Sequence, residues 1–131
     1  MSAHPPRCAV LRLPQRLWLC TAAVDMRCSY DGLAALVRHA LGRNPLDAHA
    51  FVFINRRRTQ LKCLYFEAGG YCIWAKRLER GQYGITHSRK PHAVALSRTE
   101  FEALLEGLDL VVRRRRKRWH PPVPSPRNLV E

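Results

Sequence analysis

Three short apolar runs between Phe51 and Ala75, parted by two turn signals, constrain the fold of this chain more than any other feature. Phe51-Val52-Phe53-Ile54 reads as a strand, Asn55 to Thr59 as a basic turn, and Leu61 to Phe66 as the returning strand. Gly69-Gly70 supplies a second tight turn, since glycine tolerates the positive φ such turns need, and Tyr71 to Ala75 is a third strand. The expected product is a small antiparallel β meander. Arg80-Gly81 closes it, and Tyr83 to Ile85 is expected to add one more short strand.

Two helices flank the meander. Tyr30, Leu33, Ala34, Val37 and Leu41 recur at helical spacing, with Gly42 placed to end the helix and Asn44-Pro45 to turn the chain. Ser97-Arg98-Thr99-Glu100 is a capping box ahead of a second helix, which buries Phe101, Leu104, Leu105 and Leu108. An alternating run over Gln15 to Cys20 suggests a strand before the first helix. Helices on a small antiparallel sheet make an α+β domain. At 131 residues the chain has room for one such domain. The expected division is a flexible lead-in over 1–14, a single α+β domain over 15–110, and a basic, proline-rich tail over 111–131.

Charge speaks about partners rather than fold. The chain holds 23 Lys and Arg against 10 Asp and Glu, a formal net charge of +13, and nearly half the excess lies in the tail. There Arg113, Arg114, Arg115, Arg116, Lys117 and Arg118 form one uninterrupted block, followed by Trp119, which is placed to stack on a base. Such a block binds polyanions, and nucleic acid is the most abundant polyanion in a cell. Within the domain, Arg56, Arg57 and Arg58 mark the hairpin tip, Lys62 lies on the returning strand, and Lys76, Arg77 and Arg80 end the next one. These clusters lie at the ends of neighbouring strands, where one positive face for DNA phosphates would form. A solvated turn, with Lys76 and Arg77 paired to Glu67 or Glu79, is an equally open reading on the residues alone.

Enzyme signatures are missing. The chain has no G-x-S-x-G, H-E-x-x-H, phosphate-cradling G-x-x-x-x-G-K-[ST] or G-x-G-x-x-G. Asp25, Asp31, Asp47, Glu67 and Asp109 are scattered carboxylates, each with an ordinary place at a turn or helix end, so two-metal nuclease chemistry is the weakest candidate. Cys20, Cys28, Cys63 and Cys72 lack zinc-knuckle spacing, although Cys63 and Cys72 would lie near each other across the hairpin, with His87 and His92 not far off. No catalytic residue, metal or cofactor is expected. The five cysteines make no disulfide scaffold, no apolar run approaches the ~20 residues of a membrane span, and residues 10–24 do not form a signal peptide. A reduced, cytoplasmic protein without membrane or small-molecule partners is expected.

Several runs carry a family likeness in order: Val24-Asp25-Met26-Arg27, Tyr30-Asp31-Gly32-Leu33-Ala34-Ala35-Leu36-Val37, Phe51 through Arg58, Leu61-Lys62, Lys76-Arg77-Leu78-Glu79-Arg80-Gly81 and Leu104-Leu105-Glu106-Gly107. From about Arg16 to Asp109 the chain resembles the TnpB accessory proteins of the insertion sequence sixty-six family. The resemblance implies a bacterial mobile-element protein, encoded beside a separate transposase that supplies the strand-transfer carboxylates. It implies a non-catalytic accessory factor whose partners are DNA at transposon ends and the transposase. A protein-interaction adaptor of the transposase without specific DNA binding is the alternative. Asp25 and Arg27 are expected to hold the strand-to-helix loop as a charged pair, or to form a contact surface for the partner.

Overall fold

The computed structural model describes residues 13–106 except residue 15. The lead-in before Leu13, and the tail with Arg113 to Arg118 and Trp119, lie outside the described residues, as do Asp109 and Leu108. The chain runs β1 (Arg16–Cys20), α1 (Tyr30–His39), β2 (His49–Ile54), β3 (Gln60–Glu67), β4 (Gly70–Arg77), β5 (Ala93–Leu96) and α2 (Arg98–Leu105). The strands form one sheet in the order β4-β3-β2-β1-β5.

The expected meander is present as β2, β3 and β4, paired antiparallel with Phe51 opposite Leu64 and Cys63 opposite Trp74. Antiparallel order does not extend through the whole sheet. β1 lies parallel to β2, with Trp18 opposite Phe51. The reason is the intervening α1: a helix crossing one face brings the chain back to the end where it started, so the next strand runs the same way. The expected strand over Tyr83 to Ile85 is also corrected. Tyr83 and Ile85 are buried beneath the sheet, and the fifth strand is Ala93–Leu96, which pairs antiparallel with β1.

Period-two alternation builds two cores, one on each face of the sheet. Leu17, Leu19, Val52, Ile54, Leu61 and Cys63 face Phe101 and Leu104 of α2, together with Tyr83 and Ile85. On the other face Cys20, Phe51, Phe53 and Leu64 meet Leu33, Ala34 and Val37 of α1. β2 is covered on both sides, so its residues Ala50 to Ile54 are all apolar and buried.

Helix ends follow the expected chemistry. Ser97 Oγ accepts from the Glu100 N–H at 3.0 Å, and Glu100 Oε1 accepts from the Ser97 N–H at 2.9 Å, completing the capping box. α1 stops at His39, and Gly42, at φ 65°, turns the chain so that the Arg43 N–H reaches the Val37 carbonyl at 2.9 Å.

Candidate nucleic-acid interface

The β2–β3 hairpin tip is built around Asn55. Its Oδ1 accepts from the backbone N–H groups of Thr59 and Gln60 at 2.8 and 3.0 Å, and its Nδ2 donates to Thr59 Oγ1 at 3.2 Å. The Asn55 carbonyl accepts from the Arg58 N–H at 3.0 Å, with Arg58 in the left-handed region at φ 60°. Behind the tip, Gln82 Nε2 donates to the Arg57 carbonyl at 2.8 Å, and His87 Nε2 lies 2.8 Å from the Asn55 carbonyl. A side chain that satisfies local backbone donors, with a second loop clamped behind it, makes this tip a stiff platform.

Facing the tip is the loop from β1 to α1. The Val24 N–H donates to the Ile54 carbonyl at 3.1 Å, anchoring the loop beside β2. Asp25 then closes on Arg27. Its Oδ1 accepts from the Arg27 N–H at 2.8 Å, and its Oδ2 receives Arg27 Nη2 at 2.7 Å, with Nε 3.1 Å from both oxygens. The Arg27 side chain, then its backbone N–H, stabilise the ionised form and hold the Asp25 carboxyl down to about 2. Between loop and tip lies an open groove of about 650 Å³, lined by Asp25, Met26, Arg27, Asn55, Arg56, Arg57 and Gln60 among others.

The basic residues singled out from the sequence divide. Arg56 and Arg57 are exposed at the apex and share the groove with Arg27. Arg77 is exposed one strand further along, opposite Gln60, and Arg80 is exposed beyond it. Gln60 and Met26 border both the groove and an adjoining shallower depression of about 160 Å³ that includes Lys62, Lys76 and Arg77. Arg77 meets Glu79 at 3.2 Å in an exposed ion pair, the arrangement of the solvated-turn reading.

Three others are engaged within the fold. Arg58 donates from Nη1 to the Ile85 carbonyl at 3.1 Å and from Nη2 to Gln82 Oε1 at 3.3 Å. Lys62 Nζ donates to the carbonyls of Met26 and Cys28, both at 2.8 Å, and so holds the β1–α1 loop in place. Lys76 Nζ reaches the Leu105 carbonyl at 3.2 Å, on the α2 side of the sheet.

Sequence reasoning passed over Gln60 as a groove residue, because a neutral amide at a strand start carries no distinctive signal. It also passed over Arg43, whose guanidinium lies 3.5 Å above the Trp18 ring while Trp18 Nε1 donates to His49 Nδ1 at 3.1 Å. That contact joins residues far apart in sequence. Trp18 and Trp74 are half-buried against the sheet rather than presented as base platforms, with Trp74 packed edge-on to Phe101 at 6.3 Å.

No three His, Cys, Asp or Glu side chains gather as metal ligands among the described residues. Cys63 and Cys72 are diagonal neighbours across the β3–β4 hairpin, and burial pushes the Cys63 thiol up to about 12, leaving it unreactive. Asp31 stands in the first turn of α1. Among the described residues no helix is long and apolar enough to cross a membrane.

Comparison with known proteins adds context to this geometry. Residues 15–115 match the family described as IS66 Orf2 like protein. A protein of Sinorhizobium fredii titled uncharacterized protein y4hO is 37% identical over 106 residues, covering 81% of this chain and 90% of the relative. A second from the same organism, uncharacterized protein y4jC, is 37% identical over 94 residues, covering 72% and 80% respectively. No solved structure matches.

Proposed function

The chain belongs to the IS66 Orf2-like family, and from that premise we propose that it is a non-catalytic accessory factor in insertion-sequence transposition that binds DNA for the element's transposase. The observation that carries this reading is the stiff hairpin tip, which holds Arg56 and Arg57 in solvent beside Arg27 on one polar groove. Guanidinium groups fork onto phosphate oxygens, and a tip that is already ordered loses little entropy when they do. Arg80 extends the contact along the sheet end, and the tail block Arg113 to Arg118 adds sequence-independent attraction. In this reading Lys62 builds the platform rather than touching DNA, and Lys76 secures the end of α2. Strand transfer falls to the transposase.

Binding of duplex DNA across a salt series tests the proposal. Neutralised phosphates release counterions, so log affinity is expected to fall steeply with log salt, and truncation after Val112 is expected to flatten the slope by about 5 for six cations. Absence of affinity for duplex DNA at low salt defeats the proposal. It leaves the adaptor reading, in which the transposase co-purifies with this protein after nuclease treatment and tail removal.

A further inference from the structure

Among the described residues, the outer edge of β4 leaves a row of backbone hydrogen-bonding groups without partners. The Leu78 N–H donates to the Thr59 carbonyl at 2.8 Å, one step beyond the Gln60–Arg77 pair. Alternation then turns the N–H and C=O groups of even-numbered β4 residues toward β3 and those of odd-numbered residues away from it. Tyr71, Ile73, Ala75 and Arg77 therefore present four donors and four acceptors outward. β4 is the last strand on its side of the sheet, and among the described residues nothing bonds to these groups. The strand is 8 residues long, its register with β3 runs without a bulge, and it contains no proline. Its charges, Lys76 and Arg77, stand only at its end. Edges this long ordinarily carry a blocking feature.

We infer that β4 pairs antiparallel with β4 of a second copy of this chain, about a two-fold axis at Trp74. A two-fold axis normal to the sheet keeps like faces together, so paired residues must share a face. With the axis at Trp74, Tyr71 lies opposite Arg77 and Ile73 opposite Ala75, each in both directions, and all eight outward groups on each copy are satisfied. With the axis at Ile73, Arg77 faces the turn at Gly69 instead.

Side chains and charge select the same arrangement. Tyr71 is half-buried, edge-on to Phe66 at 5.3 Å, and its ring shares the α1 face with Arg77. The Arg77 side chain is 66% exposed, and its ion pair with Glu79 is of the weak surface kind, so the guanidinium is available to lie on the Tyr71 ring of the second copy. Parallel alignment would stack Lys76 and Arg77 on their own counterparts. Antiparallel alignment separates the two Arg77 residues by six strand positions, ~20 Å.

Sedimentation of the full chain over a concentration series, with residue-resolved hydrogen exchange, tests this. The expected result is a monomer–dimer equilibrium in which amide protection at Tyr71, Ile73, Ala75 and Arg77 rises about tenfold or more with dimer population. Amides of Cys72, Trp74 and Lys76, bonded to β3, are expected to be protected at every concentration. Identical residues meet only on the axis, at the ~4.5 Å Cα separation of a non-hydrogen-bonded pair, which suits a disulfide. In a Cys72→Ser background, Trp74→Cys is expected to give a disulfide-linked dimer under mild oxidation, and Ala75→Cys is not. Arg77→Glu, which sets a carboxylate in place of the guanidinium against the Tyr71 ring, is expected to weaken the dimer about tenfold.

A chain that stays monomeric at every concentration overturns the inference. So does a dimer whose four odd-numbered amides exchange freely, or a monomer in which they are already protected, because another segment of the same chain then holds the edge. Protection that appears only when a different protein is added overturns it as well. The exchange measurement on the unmodified chain decides the matter even where the Trp74 variant fails to fold.

Discussion

Arg56, Arg57 and Arg58 are one basic run in the sequence and two kinds of residue in the fold. The first two stand in solvent at the apex of the hairpin, while the third turns back at φ 60° and spends its donors on Ile85 and Gln82. The same division recurs beside the groove. Lys62 is claimed by the carbonyls of Met26 and Cys28, whereas Arg77 has only an exposed partner in Glu79. A cation serves an external polyanion only if the protein's own leftover acceptors do not reach it first. Loops and helix ends leave such acceptors, so position relative to them, not charge density, sorts the two classes.

The sharpest way to break this contrast is to remove a claimed cation. Lys62→Met leaves two carbonyls of the β1–α1 loop without their charged donor, in a half-buried setting, and is expected to cost about 1–3 kcal/mol. Thermal unfolding checks it, at about 4–8 °C per kcal/mol for a domain of this size. Duplex affinity, measured well below the transition, is expected to hold, so a large affinity loss with unchanged stability would move Lys62 into the other class. Arg58→Ala is expected to show the same signature at about 1 kcal/mol, since one of its partners is an exposed glutamine.

The exposed class should respond in the opposite way. Arg56→Ala and Arg57→Ala are each expected to leave stability within about 0.5 kcal/mol. Each is expected to lower the slope of log affinity against log salt by about 1, the mark of one lost phosphate contact. If both slopes stay unchanged, the hairpin tip is not the DNA contact.

Much of the fold was legible because its signals are local. The β2–β3–β4 meander followed from apolar runs and turn residues, and the start of α2 from one tetrapeptide that closes on itself. Two features were not legible. β5 is Ala93-Val94-Ala95-Leu96, where alanines dilute the strand signal and pairing with β1 supplies what propensity does not. The parallel placement of β1 depends on which strand α1 returns beside, a tertiary choice with no residue of its own. The candidate interface was half legible. Its arginines were visible as charge, but the separation of Arg58 from Arg57 rests on a carbonyl 27 residues away.

The Asp25–Arg27 pair tests the contrast at its finest, since here a groove arginine is claimed by a carboxylate beside it rather than by backbone. The side chain and then the backbone N–H of Arg27 lower Asp25 from 3.8 to about 2 in the folded state. A depressed carboxylate stabilises the fold fully above its unfolded value and loses that contribution as pH falls through its folded one. The stability difference between the native chain and Asp25→Asn is therefore expected to be flat above about pH 5 and to shrink toward zero as pH falls through 3.8 and then about 2. It is small throughout, because the Arg27 side chain is 91% exposed and its ion pair is open to solvent. At neutral pH the same substitution releases the Arg27 guanidinium into the groove. Where Arg27 contacts phosphate, Asp25→Asn is expected to tighten duplex binding and steepen the salt slope by less than about 1. Where the pair only holds the loop, stability falls slightly and the slope does not move. The two readouts together assign Arg27 to one class or the other.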